Sequence, residues 1–239
     1  GIHSAVRELI LGPEAPRFSG HVAYRGLVPS ARLSRLGLEV SGYSWWGPEH
    51  HFVHYFVGAR ARYLNFVAVT PGDWRIESWT ATGEVSDALR EFAGWHPHVR
   101  AIIGSADAVN RWALYDRDPL PQWTVGRATL LGDAAHAMLP YMAQGAAQAI
   151  EDAAVLAKCL ARADGGAVGA ALRRYEETRR PRATRCQEGS RLNGVMYHLT
   201  DGEEQRRRDA GLAAVPTLPG ARNAWLYGHD VEAEFEAAK

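Results

Sequence analysis

The stretch from Thr129 to Leu156 reads "TLLGDAAHAMLPYMAQGAAQAIEDAAVL". A short apolar run meets Gly132 and Asp133, a loop follows with His136 and Pro140, and small residues lead into a helix from about Ala146. Strand, acid, loop and helix in that order predict a strand-to-helix connection of an α/β domain. An aspartate at the carboxyl end of a buried strand sits where such sheets bind ligands. A carboxylate there accepts hydrogen bonds from sugar hydroxyls, so a ribose or ribityl chain is a suitable partner. Gly132 and Gly145, with Ala134, Ala135, Ala143, Ala146 and Ala147, allow a ligand close to the backbone. The start of the helix offers unpaired N–H groups and a partial positive charge, which stabilise an anionic oxygen. A tightly packed connection with no ligand accounts for the same residues equally well.

Working outward, "HSAVRELILG" (3–12) predicts a short helix closed by Gly12 and Pro13. From Phe18 to about Thr80 the period changes to two. "HVAYRGLV", "HHFVHYFVG", "YLNFVAVT" and "WRIESWT" predict short strands of an antiparallel sheet. "SDALREFAGW" (86–95) returns to helical spacing behind Ser86 as N-cap, and "RWALYDRDPL" is a further strand-like piece. From Ala146 to about His198 the chain is mainly helical, with Gly165-Gly166 between two helices and Pro181 bending or restarting the second. The tail after Asp201 is charged, then rich in Pro and Gly, and its "NAWLYGHD" is expected to pack locally.

In "HHFVHYFV", alternation puts His51, Val53 and Tyr55 on one face and His50, Phe52, His54 and Phe56 on the other. Histidines four apart share a zinc ion on a helix. On a strand they stand roughly 13 Å apart, too far to share one. No GxSxG elbow or clustered ligand set supports a hydrolase or metal enzyme built on Asp133 and His136.

Acidic and basic residues balance at 27 each, so the charge carries no footprint of nucleic acid or anionic membrane. No apolar run is long enough to span a bilayer, no signal peptide is visible, and the two cysteines lack metal-ligand spacing. A reduced, cytoplasmic protein is expected.

The segment "LLGDAAHAMLPYMAQGAAQAIEDA" resembles the GD motif and following helix of the flavin-dependent aromatic hydroxylases, the single-component class A monooxygenases. Within them it is most similar to the salicylate hydroxylase and 6-hydroxynicotinate 3-monooxygenase branch. "GIHSAVRE" resembles the family's DG motif from just after its aspartate. "AYRGLVP", "NFVAVTP", "ESWT", "FAGWHP", "RWALYDRDPL", "YEETRRPRA" and "WLYGHD" match the branch in order and spacing, so the resemblance covers essentially the whole chain.

The resemblance implies an α/β protein with α+β character here: part of a Rossmann-like FAD/NAD(P)-binding domain at 1–16 and 119–163, a substrate-binding antiparallel sheet at 17–118, and a carboxyl-terminal helical region at 164–239. It implies that Asp133, with Gly132, binds the ribityl chain of FAD. Gln144, Gly145 and Ala146 lie under the pyrimidine edge, and Pro140 lies near the oxygen-reacting face. His51, Tyr55 and His136 are the implied catalytic residues lining one aromatic pocket, and Arg25 orients substrate or packs beside the flavin. The implied reaction is hydroxylation of a small aromatic acid through a flavin hydroperoxide, with O2 and with NADH or NADPH as reductant.

Two departures stand out. Phe56 takes the place of a proline common in relatives, and these 239 residues hold no glycine-rich βαβ unit for the adenosine half of FAD. The chain is therefore expected to be a carboxyl-terminal portion, FAD-free and inactive when isolated, and to associate through open strand edges, with a homo-oligomer as one form.

Overall fold

Alternating apolar residues between Arg17 and Asp116 build a six-stranded sheet. Its strands are β1 (Arg17–Pro29), β2 (Gly42–Gly47), β3 (His50–Val57), β4 (Tyr63–Pro71), β5 (Thr82–Gly83) and β6 (Val109–Asp116). The spatial order is β2-β3-β4-β1-β6-β5. The β2–β3, β3–β4, β4–β1 and β5–β6 pairs are antiparallel. The computed structural model describes residues 1–78, 80–163, 166–214 and 223–237.

The hairpin joining β2 to β3 turns on Pro48 and Glu49, with Gly47 opposite His50 and Glu49 at a φ of 58°. One sheet face packs on α2 (Val85–Glu91) and α3 (Pro97–Gly104). Phe52, Leu64, Phe66, Phe92, Ile102 and Ile103 are fully buried there. The helix α2 is capped at Glu84 and not at Ser86, which lies inside its first turn.

"WRIESWT" forms no strand over its described part, Trp74 to Ser78. Ser78 Oγ accepts from the Thr80 and Ala81 amides, which makes a turn. Pairing resumes only at Thr82, opposite Asn110.

The remaining elements are α1 (Ala5–Leu11), the hairpin β7 (Thr124–Val125) and β8 (Ala128–Thr129), α4 (Asp133–His136), α5 (Gly145–Ala161), α6 (Val168–Tyr197), α7 (Glu203–Ala213), α8 (Ala224–Tyr227) and α9 (Val231–Ala237). Ser4 Oγ caps α1, and Gly12 closes it at a φ of 87°. Pro181 lies inside α6, which runs unbroken past it. Gly165 and the Pro/Gly-rich residues 215–222 lie outside the described residues.

The chain divides into two compact units. One holds Gly1–Arg17, Tyr115–Gly194 and Arg207–Lys239; the other holds Phe18–Leu114 and Val195–Arg206. The 164–239 region is thus no unit of its own. Its residues 195–206 group with the sheet and the rest with the GD segment. The first unit has its own core of Trp123, Leu130, Ala135, Val155, Tyr175 and Phe235.

Candidate functional site

Asp133 was expected at the end of a buried strand. The ladder stops short of it: β8 ends at Thr129, the Leu130 amide bonds Trp123 O, and Asp133 is the first residue of α4. Gly132 turns the chain at φ 57° and ψ −144°, and a Cβ there would stand 3.3 Å from that of Ala149. Backbone angle and close helix packing both require glycine. The Asp133 side chain is exposed and makes no hydrogen bond or ion pair with any described residue. A Cβ on Gly145 would lie 4.0 Å from Asp133 Oδ1, so the carboxylate stands beside the start of α5. Gln144 caps that 17-residue helix without a side-chain bond, leaving first-turn amides for an outside acceptor. An unpaired acceptor beside unpaired donors suits a ligand with hydroxyls at one end and a polar ring edge at the other.

The loop between them is a 3-10 turn at Pro140–Met142, with Ala143 in the left-handed region at a φ of 53°. Pro140 is exposed and Tyr141 buried. Sequence reasoning missed what seats this loop, the "GSRLNG" stretch of α6. Asn193 Nδ2 donates to Tyr141 O at 3.0 Å. A Cβ on Gly194 would meet the Tyr141 ring at 2.8 Å, and one on Gly189 would meet Met142 Sδ at 2.5 Å. The signal was two glycines inside one helix, where glycine is costly and so marks a close approach. Because the Tyr141 ring is buried and cannot swing away, Gly194→Ala is expected to cost about 1–3 kcal/mol. Urea denaturation would check this, and a change below about 0.5 kcal/mol would mean the loop yields freely.

His136 occupies a place quite different from an open aromatic pocket. It is fully buried, and its Nε2 donates to Asp152 Oδ2 at 2.6 Å. The Gly132 amide donates to the same oxygen at 2.9 Å, and Arg179 Nε donates to Asp152 Oδ1 at 2.9 Å. Arg179 also reaches Gln148 Oε1 at 2.6 Å and Glu151 at 2.6 Å, and Arg182 holds Glu151 through two bonds of 2.8 and 2.9 Å. Burial opposes ionisation of Asp152, but the bonds from His136, Gly132 and Arg179 outweigh it and keep its carboxyl below the usual range. The network ties the turn that presents Asp133 to α5 and α6.

In the sheet unit, the alternation read from the sequence holds. Phe52 and His54 are buried toward the core, and His50 meets Glu91 and Phe92 on that same face. His51, Val53 and Tyr55 take the opposite face. Tyr55 is 40% exposed and stands opposite Gly42 and Asn65. Arg25, on the same face, donates from Nε to Asn65 Oδ1 at 2.8 Å and lies 5.3 Å from the Trp112 ring. Asn65 was overlooked in the sequence. It is 3% exposed, and its Nδ2 has no partner among the described residues. A lone amide in the otherwise apolar "LNFVAV" was the signal. His51 is 3% exposed, with Nδ1 at 2.7 Å from His198 Nε2. Burial, together with the neighbouring rings of His198, His21 and His50, pushes the His51 pKa down to about 2. His54 is pushed down to about 4 by burial and His98.

The family model described as an FAD binding domain matches residues 1–190. The chain belongs to the FAD binding domain family. Among relatives of this FAD binding domain chain, 3-amino-4-hydroxybenzoate 2-monooxygenase PtnB3 of Streptomyces platensis is 46% identical over the whole chain and 58% of its own length. The 6-hydroxynicotinate 3-monooxygenase of Pseudomonas fluorescens is 39% identical over 81% of the chain and 51% of its own length. A solved salicylate hydroxylase substrate complex matches with a TM-score of 0.84 and 31% identity, over 100% of this chain and 62% of that one. The chain thus spans about half to three fifths of the length of such relatives. Asp133, exposed and unpaired among the described residues beside the start of α5, fits the polyol and ring edge of a flavin. Among the described residues, no helix is long and apolar enough to cross a membrane.

Proposed function

We propose that the chain belongs to an FAD-dependent monooxygenase that hydroxylates a small aromatic acid with O2 and with NADH or NADPH as reductant. The observation that carries the reading is the Asp133 carboxylate, which has no partner among the described residues at the head of α5 in a chain of this family. Relatives named for aminohydroxybenzoate and hydroxynicotinate support the substrate class. Bound FAD would supply the redox chemistry and activate oxygen. Asp133 would accept hydrogen bonds from the ribityl hydroxyls. The amides of Gly145 and Ala146, with the Gln144 cap, would donate to the pyrimidine edge, and Pro140 would border the ring. On the sheet, His51 and Tyr55 would bind the aromatic hydroxyl and draw off its proton, work suited to a neutral histidine. Arg25 and Asn65 would orient the acid group. His136 is assigned to the buried network and not to the reacting set.

Asp133→Ala is expected to weaken FAD binding about 10- to 100-fold, the worth of hydrogen bonds to a charged acceptor. Unfolding of the FAD-free protein should stay within about 0.5 kcal/mol. In FAD-loaded protein, His51→Gln should slow hydroxylation about 100-fold and leave flavin reduction by the nicotinamide unchanged. Titration with FAD and stopped-flow spectroscopy read the two. Unaltered FAD affinity, or equal losses in both half-reactions, would sink the assignments.

A further inference from the structure

The last residue of α6 and the one after it lie on the sheet face that carries His51. Tyr197 stacks on Trp46 with ring centroids 4.4 Å apart, and Trp46 stands directly opposite His51 in the β2–β3 register. His198 follows, its Nε2 at 2.7 Å from His51 Nδ1. From β1, His21 stacks on the His198 ring at 4.2 Å and 21°. Three elements therefore meet around one imidazole–imidazole hydrogen bond. The titratable groups about His51 are Tyr197 at the end of α6, His198 just after it, His21 on β1, and His50 beside it on β3, which turns toward Glu91 on the other face.

A short bond between two neutral imidazoles holds one proton, so one ring donates and the other accepts. Its partner thereby dictates which nitrogen of His51 is basic. We infer that His198 is the positioning residue for His51: it accepts the Nδ1 proton, fixes the ring as the Nδ1–H tautomer, and takes the charge when His51 accepts a proton at Nε2. The inference rests on the role proposed above for His51. A phenolic O–H bond breaks as Nε2–H forms on His51; its Nδ1–H bond breaks as Nε2–H forms on His198. The products are a phenolate and a cationic His198, and no electrons change hands. The direction of transfer agrees with the enclosure of His51, 3% exposed among other imidazoles, whereas His198 is only half-buried. A carboxylate in place of His198 would fix the same tautomer but hold a charge against the sheet permanently.

Nitrogen-15 NMR of histidine-labelled chain reads the tautomer directly, without cofactor. The wild type should show His51 protonated at Nδ1 and bare at Nε2 near neutral pH. His198→Leu should shift His51 toward Nε2–H, and His198→Gln, whose Oε1 accepts, should restore most of the Nδ1–H form. A wild-type His51 protonated at Nε2 would overturn the inference even if no variant folds, and so would a tautomer indifferent to His198→Leu. In FAD-loaded protein, His198→Leu should slow hydroxylation about 10- to 100-fold with flavin reduction unchanged, and His198→Gln should recover most of the loss. If His51→Gln leaves hydroxylation unaltered while the tautomer obeys His198, the proposed role of His51 fails and the positioning stands.

Discussion

Asp152→Ala is expected to destabilise its unit by about 3–5 kcal/mol, because it leaves buried charge without compensation. Arg179 is fully buried and meets Asp152 through Nε, and His136 is fully buried and meets it through Nε2. Removing the carboxylate strands both donors and also frees the Gly132 amide. Glu151 still faces Arg179, which keeps the loss near the lower end of that range. A partner change separates charge from packing: Asp152→Ala combined with Arg179→Met should be less damaging than the two single losses added, since residues in one network do not act independently. Hydrogen exchange followed by mass spectrometry reports protection in α5 and α6 segment by segment. A loss under about 1 kcal/mol, or strict additivity in the double variant, would show that the network is loosely coupled. Asp133, a carboxylate with no partner among the described residues, is the internal control.

The contrast between these two aspartates bears on what the sequence could reveal. Period-two alternation placed His51 and Tyr55 on one face of a strand, and that reading needs only backbone geometry. The helix over α5 was equally legible, since a small-residue run leaves a local mark, whereas Gly132 was read only as room for a ligand and its turn at a φ of 57° against Ala149 was not. His136 was not, because its role depends on Asp152, sixteen residues on, and on Arg179, which arrives from another helix. No spacing rule links those three. Family likeness drew His136 toward chemistry, whereas the structure shows its ring fully buried and bonded to Asp152. The strand expected at 74–80 failed for the converse reason. Its residues have β-forming side chains, but a strand exists only where a neighbour offers a ladder, and Ser78 turns the chain first. His198 was counted only as the end of a helical stretch, and its pairing with His51 spans 147 positions.

Lowering the pH from 6.5 to 5 is expected to remove about 3 kcal/mol of stability from the sheet unit, well before its carboxylates titrate. His51 and His54 have pKa values pushed down to about 2 and about 4 in the folded protein. Unfolded, each returns to about 6.5. Between those limits the unfolded chain binds more protons than the native one, so stability falls as pH falls. The contribution is complete about a unit above pH 6.5 and, below that pKa, declines by up to about 1.4 kcal/mol per pH unit for each group. From pH 6.5 to 5, with the slope only half its full value at the start, the two together give about 3 kcal/mol, and His21, lowered by burial and His50, adds in the same direction. The unit around Asp152 should respond in another window. Asp152 and Glu151 lie below their usual range, so their contribution persists above about pH 4 and is lost only as pH falls further. Exchange protection measured from pH 7 to 4, corrected for intrinsic rates, should therefore collapse first in β3 and β4 and only later in α5 and α6. His54→Phe, which keeps an aromatic ring in the core beside Phe52, should flatten the slope in the sheet by about half. Protection in β3 that holds level from pH 6.5 to 5 would mean that His51 and His54 accept protons without unfolding, and the buried, neutral state assigned to them would be wrong.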